Sequence, residues 1–118
     1  MKRDTRFRKQ MRKRKIRAKV AGTSVVPRLS VFRGRKHIFL QIIDDTHGKT
    51  LVWAHERELD AQTVKTTKTE RALALGKLIG QKARTQGLER IVFDRGGNAY
   101  HGRVQAVAQG ARDAGLVF

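Results

Sequence analysis

The 118-residue chain sets 27 lysines and arginines against 10 acids, a formal charge of +17, and has no cysteine. This length allows one domain of about 80 to 90 residues behind a basic tail and leaves little room for a large catalytic cleft, while the lack of cysteine removes disulfides, thiolate zinc sites and cysteine nucleophiles. No stretch is apolar enough to span a bilayer or to form a signal-peptide core, so the expected setting is soluble, unsecreted and cytoplasmic.

The charge is lopsided. Residues 1 to 36 hold 15 of the cations and a single acid, Asp4, whereas residues 37 to 118 hold 12 against nine. Such a density repels itself unless phosphates neutralise it, which points to a nucleic-acid partner. Residues 1–21 are therefore read as a basic RNA-binding extension and residues 22–118 as a globular α/β domain. In the extension Arg3, Arg6, Arg8, Arg12, Lys13, Arg14 and Arg17 surround a thin apolar seam of Phe7, Met11 and Val20. The expectation is a nascent helix that orders on binding; a solvated tail or a localisation signal is the plainer alternative.

From Arg28 the apolar period becomes two. Leu29 and Val31 fall on one face, Ser30 and Phe32 on the other, and Arg33-Gly34-Arg35-Lys36 makes a turn into a second strand in which Ile38, Leu40 and Ile42 alternate with His37, Phe39, Gln41 and Ile43. Asp44 to Gly48 is the next turn. A third strand over Lys49 to His55 places Val52 and Ala54 on one side, Leu51 and Trp53 on the other, completing an antiparallel meander.

Thr67 and Glu70 have capping-box spacing, and Ala72, Leu75, Gly76, Ile79 and Ala83 continue at helical intervals until Gly87. Gly76 and Gly80 are expected to let this helix approach the sheet closely. A short buried strand over Arg90 to Asp94 follows. A helix then runs from about Gly102, with Val104, Val107, Ala108 and Ala111 on one face, and the ending Leu116-Val117-Phe118 is expected to dock on the core. The fold class is α/β: a mixed sheet made of a three-stranded antiparallel meander plus a helix-strand-helix unit, its last strand parallel to a neighbour.

With the helices covering the aliphatic face, Ser30, Phe32, His37, Phe39, Gln41 and Trp53 are left on the reverse side. That side is either covered by a tail or loop or open for stacking bases and riboses. The connection Asp94 to Arg103 contains three glycines, and its backbone amides, the following helix start, Arg95, His101 and Arg103 can meet a phosphate while Tyr100 can stack. It lacks the spacing and ending of a Walker loop, and a simple tight turn is the alternative.

Pro27-Arg28-Leu29-Ser30-Val31-Phe32-Arg33, the run His37 to Asp45, and Phe93-Asp94-Arg95-Gly96-Gly97 with Tyr100-His101-Gly102-Arg103-Val104 closely resemble the bacterial large-subunit ribosomal protein family eighteen. The resemblance covers nearly the whole chain, including the basic extension and the Ala111 to Leu116 ending. It implies a ribonuclease H-like motif and a structural role: binding 5S rRNA and helping to attach it to 23S rRNA in the central protuberance, beside the family-five ribosomal protein. It implies no cofactor, no membrane and no stable homo-oligomer. The chain departs from the family pattern at Trp53 and along His55-Glu56-Arg57-Glu58.

Two other classes are weighed on the residues. A nuclease needs several acids converging on one side of the sheet, and only Asp44, Asp45 and Asp94 lie near strand ends. The four histidines lack metal-ligand spacing. A cationic membrane-active or DNA-compacting protein would use the tail without the rest. The expected RNA-binding set is the seven extension cations named above, with Arg33, Arg35, Lys36, His37, Phe39, Arg95, Gly96, Gly97, Tyr100, His101 and Arg103; no catalytic or metal-binding residue is expected.

Overall fold

Three strands, β1 (Arg28–Arg33), β2 (Ile38–Asp44) and β3 (Lys49–His55), form the antiparallel meander that the period-two pattern predicts. The computed structural model describes residues 22–118; the basic extension lies outside them. A fourth strand, β4 (Val92–Asp94), pairs parallel to β1, so the sheet order is β3-β2-β1-β4. Between β3 and β4 come a 3-10 turn (Glu56–Glu58), a short helix α1 (Ala61–Val64) and the long helix α2 (Lys68–Thr85); α3 (Arg103–Asp113) follows β4.

Alternation decides the core. Leu29, Val31, Ile38, Leu40, Ile42, Val52 and Ala54 are buried on one sheet face, against Ala72, Leu75, Ile79 and Ala83 of α2 and Val104, Val107 and Ala111 of α3. Thr67 and Glu70 form the expected reciprocal cap on α2, which satisfies amides that a helix start otherwise leaves orphaned.

The structure corrects several expectations. Gly76 and Gly80 serve a helix rather than the sheet: a Cβ on Gly76 would collide with the Val107 carbonyl, and one on Gly80 with Ala114. Helical periodicity fixes which face is apolar, not what lies against it. Leu51 packs against the core instead of facing away with Trp53, because the register shift at Ile42/Ile43 pairs Thr50 with Ile43 and leaves Leu51 as the extra residue. β4 is shorter than Arg90 to Asp94 and only half-buried at Val92 and Phe93, since it is an edge strand. Arg90 instead pairs in parallel with Val117. The chain ending docks as expected, with Leu116 buried and Phe118 stacked on Phe93 at 5.5 Å. The turns over 56–64 were not anticipated; the hydrogen bond from Thr63 N–H to Asp60 Oδ1 is their readable cap signal.

Among the described residues no helix is long and apolar enough to cross a membrane.

Candidate nucleic-acid interface

All nine acids of residues 37–118 are held by internal partners. Asp44 accepts from Thr46 N–H and pairs with His47, Asp60 caps α1, Glu70 caps α2, Glu89 faces Arg84, and Asp113 accepts from Gln109. Glu58 takes Lys82 and the His55 amide. The last three, Asp45, Asp94 and Glu56, organise the two ends of the sheet.

At one end Arg28, 6% exposed, reaches along the reverse face. Its Nε and NH2 donate to the two oxygens of Asp45 at 2.9 and 3.0 Å, and its NH1 donates to Asp94 Oδ2 at 2.6 Å. Asp45 also accepts from Gly22 N–H at 2.7 Å, and Asp94 from Gly96 N–H at 2.8 Å. One guanidinium thus fastens the root of the basic extension, the β2–β3 turn and the glycine loop after β4. Its pKa is raised above the ordinary arginine value, first by the hydrogen bond to Asp45, against the opposing cost of burial, and then by Asp94. The carboxylates weighed for two-metal chemistry are accordingly committed: Asp45 and Asp94 to Arg28, and Asp44 to His47. Among the described residues no three His, Cys, Asp or Glu side chains are grouped to hold a metal ion.

At the opposite end Glu56, 4% exposed, accepts from Ile38 N–H at 3.0 Å and is ringed by His37 Nδ1 at 3.2 Å, Arg103 NH2 at 3.5 Å and Arg71 Nε at 3.9 Å. One buried anion therefore draws together the hairpin tip, the first turn of α2 and the start of α3. Arg33, Arg35 and Lys36 project from the tip, and Arg57 and Arg95 are exposed nearby in the chain path; none has an acidic partner among the described residues.

The expected site residues fall into three groups. Arg33, Arg35, Lys36, His37 and Phe39 share the hairpin, and the Arg95 to Arg103 connection joins them because Gly96 (φ +63°) packs its backbone against the Val31 carbonyl. Only glycine fits there. Arg103 and Tyr100 are partly engaged inside the fold: the Arg103 side chain is 13% exposed beside Glu56, and Tyr100 lies edge-on to Phe93 at 6.0 Å with its hydroxyl 3.4 Å from Arg112 NH1. His101 is exposed. The amides of Gly96, Asn98 and His101 are bonded within the loop, so the first role of this segment is to close tightly on β1. Arg3, Arg6, Arg8, Arg12, Lys13, Arg14 and Arg17 lie outside the described residues, and the extension enters at Gly22, at the end of the sheet away from the hairpin tip.

Between the two ends the reverse face carries a row of rings. Phe32 and Phe39 are 6.0 Å apart, Phe39 lies 6.3 Å from Trp53 and 6.0 Å from His55, and His55 lies 5.6 Å from His37. Ser30 is on this side, as expected, but fully buried beside Arg28 and Asp94. Sequence reasoning missed Arg28 and Glu56 as organisers. The available signal was an Arg on the strand alternation, which must find acids if buried.

Comparison with known proteins follows the same lines. The profile of the family described as ribosomal L18 of archaea, bacteria, mitochondria and chloroplasts matches residues 2–118. The chain is 51% identical over 119 residues to the large ribosomal subunit protein uL18 of Pseudothermotoga lettingae, covering 99% of this chain and 98% of that one. It is 54% identical over 102 residues to uL18 of Tropheryma whipplei strain Twist, covering 86% of each. With uL18 of Thermosynechococcus vestitus it shares 51% identity over 112 residues, 93% of each.

Proposed function

The chain belongs to the ribosomal L18 family, and from that premise we propose that it is a structural constituent of the large ribosomal subunit, binding 5S rRNA and helping to attach it to 23S rRNA in the central protuberance. Its setting is the cytoplasm, on the ribosome, beside the family-five ribosomal protein; it works without cofactor or catalysis and forms no stable homo-oligomer. The observation that carries this reading is the partition of charge. Every acid of residues 37–118 is consumed internally, while the hairpin tip and the extension keep a surplus of cations.

The roles divide by position. Arg3, Arg6, Arg8, Arg12, Lys13, Arg14 and Arg17 neutralise phosphates without regard to sequence and supply most of the salt dependence. Arg33, Arg35, Lys36, Arg95 and His101 hold register on a shaped RNA, because the turn and the loop that carry them are tied down by the Gly34 amide bond to the His37 carbonyl and by the packing of Gly96 on β1. His37 and Arg103 meet it from positions set by Glu56, Tyr100 from a position set by Phe93 and Arg112, and Phe39 offers a ring. Gly96 and Gly97 keep the loop low enough for approach. A gel shift at fixed salt tests the proposal: 5S rRNA should form a complex that a scrambled RNA of equal length does not displace. Equal binding to both would reduce the interaction to simple charge attraction.

A further inference from the structure

Trp53 is the single tryptophan of the chain and is 54% exposed on the edge strand β3. A large aromatic surface left in water forgoes burial free energy that the core residues beside it gain. The ring forms one wall of a groove between β3 and the C-terminal half of α2, with Leu51 and Val52 as its apolar floor and Lys82, Thr85 and Gln86 as its polar rim; the volume is about 370 Å³. That is at the small end of the range for ligand sites.

We propose that this groove receives one unpaired nucleobase of the bound RNA, stacked against Trp53, with the adjoining phosphate next to Lys82. The proposal rests on the RNA-binding reading above and adds a contact to it. The ammonium of Lys82 is already placed: it lies 5.2 Å from the Trp53 ring centroid, donates to the Trp53 carbonyl at 3.1 Å and pairs with Glu58. A half-exposed ring with a cation over it suits a nucleotide, whose base is a π-face and whose phosphate is an anion that competes with Glu58 for Lys82. The Gln86 side-chain amide has no partner among the described residues and can hydrogen-bond a base edge.

Two features favour RNA over a peptide. Part of the outward backbone of β3, which strand addition would need, is already taken: Lys82 takes the Trp53 carbonyl and Glu58 takes the His55 amide. The groove is also continuous with the row of rings through Phe39, which leads to the surplus cations of the hairpin tip.

The experiment uses the full chain and a 5S rRNA transcript. Because Trp53 is the only tryptophan, its emission reports on this groove alone. We expect RNA to quench it, saturating at the same concentration as the gel shift. Trp53→Leu should weaken the complex about tenfold, within the range for losing one base–aromatic stack, and Trp53→Phe should restore most of the affinity. Unchanged circular dichroism is expected for both variants, since the side chain is half exposed. A normal gel shift with unaltered emission and wild-type affinity for Trp53→Leu overturns the groove assignment while leaving RNA binding intact. Emission that responds to another large-subunit protein and not to RNA also overturns it, making the groove a protein contact. If the wild-type chain forms no complex with the transcript, both readings fall.

Discussion

The two ends of the sheet are built from the same kinds of residue and do opposite things. At the Arg28 end one cation serves two carboxylates, and each of their oxygens finds an Arg or backbone donor, so the hydrogen bonding is closed. At the Glu56 end one carboxylate is shared among His37, Arg71 and Arg103, and the hairpin tip adds three cations with no acid among the described residues. β1 separates the ends by about 17 Å at roughly 3.3 Å per residue. A buried network with every donor and acceptor satisfied holds elements together, whereas a surplus of exposed cations attracts an external anion. On the proposed reading, the first end sets geometry and the second supplies affinity for RNA.

Arg28→Met should break this contrast most severely. It strands Asp45 and Asp94 without their guanidinium, and breaking a buried pair from one side costs about 3 to 5 kcal/mol; urea denaturation should show the loss, and RNA affinity should follow only as far as the folded fraction falls. If stability is unchanged, the clamp is not holding the fold. At the other end, replacing Arg33, Arg35 and Lys36 together by Gln should leave stability within about 0.5 kcal/mol. The same change should weaken 5S rRNA binding roughly 30-fold and flatten the plot of log affinity against log salt by about 2 to 3. A parallel loss of stability would show that the tip is structural after all.

Glycine substitutions sharpen the comparison at smaller scale. Gly96→Ala, at φ +63° and against the Val31 carbonyl, should cost about 1 to 3 kcal/mol, measured by thermal or urea unfolding. Gly102→Ala, at φ +57° and ψ −115° with open space around its Cβ, should cost less, about 1 to 2 kcal/mol, the strain of a backbone region open mainly to glycine. Equal costs would mean that the close approach of the loop to β1 contributes nothing.

How much of this was legible follows from the range of each signal. Local alternation gave the faces of β1 and β2, since Leu29, Val31, Ile38, Leu40 and Ile42 are a period-two pattern that a one-residue slip would invert. The Thr67 and Glu70 cap was readable because both partners lie within one turn. Leu51 was misplaced because a bulge depends on the partner strand, and Gly76 was given the wrong neighbour because nothing on α2 names α3. The cations of the hairpin tip could be listed from the turn. The inward engagement of Arg103 and Tyr100, by contrast, rests on Glu56 and Arg112, 47 and 12 residues away. Arg28 and Asp94 are 66 residues apart, and composition alone counts both as surface charges.

The smallest expected effect concerns acid. The Asp44 carboxyl lies below its ordinary value chiefly because His47 hydrogen-bonds it, and Asp60 is lowered by the Thr63 amide. For Glu58 burial pushes upward, but the hydrogen bonds from Lys82 and the His55 amide outweigh it and the net direction is down. In the unfolded chain these groups bind protons near their ordinary values of about 4, so around that pH the unfolded state holds more protons than the folded one. The stability they supply is therefore complete above the ordinary carboxylate range and is lost as pH falls through the depressed values. A thermal midpoint that is flat from pH 7 to 5 and declines below about 4 is expected. Asp44→Asn should make that decline shallower; an unchanged profile would assign the acid sensitivity to Glu58 and Asp60 instead.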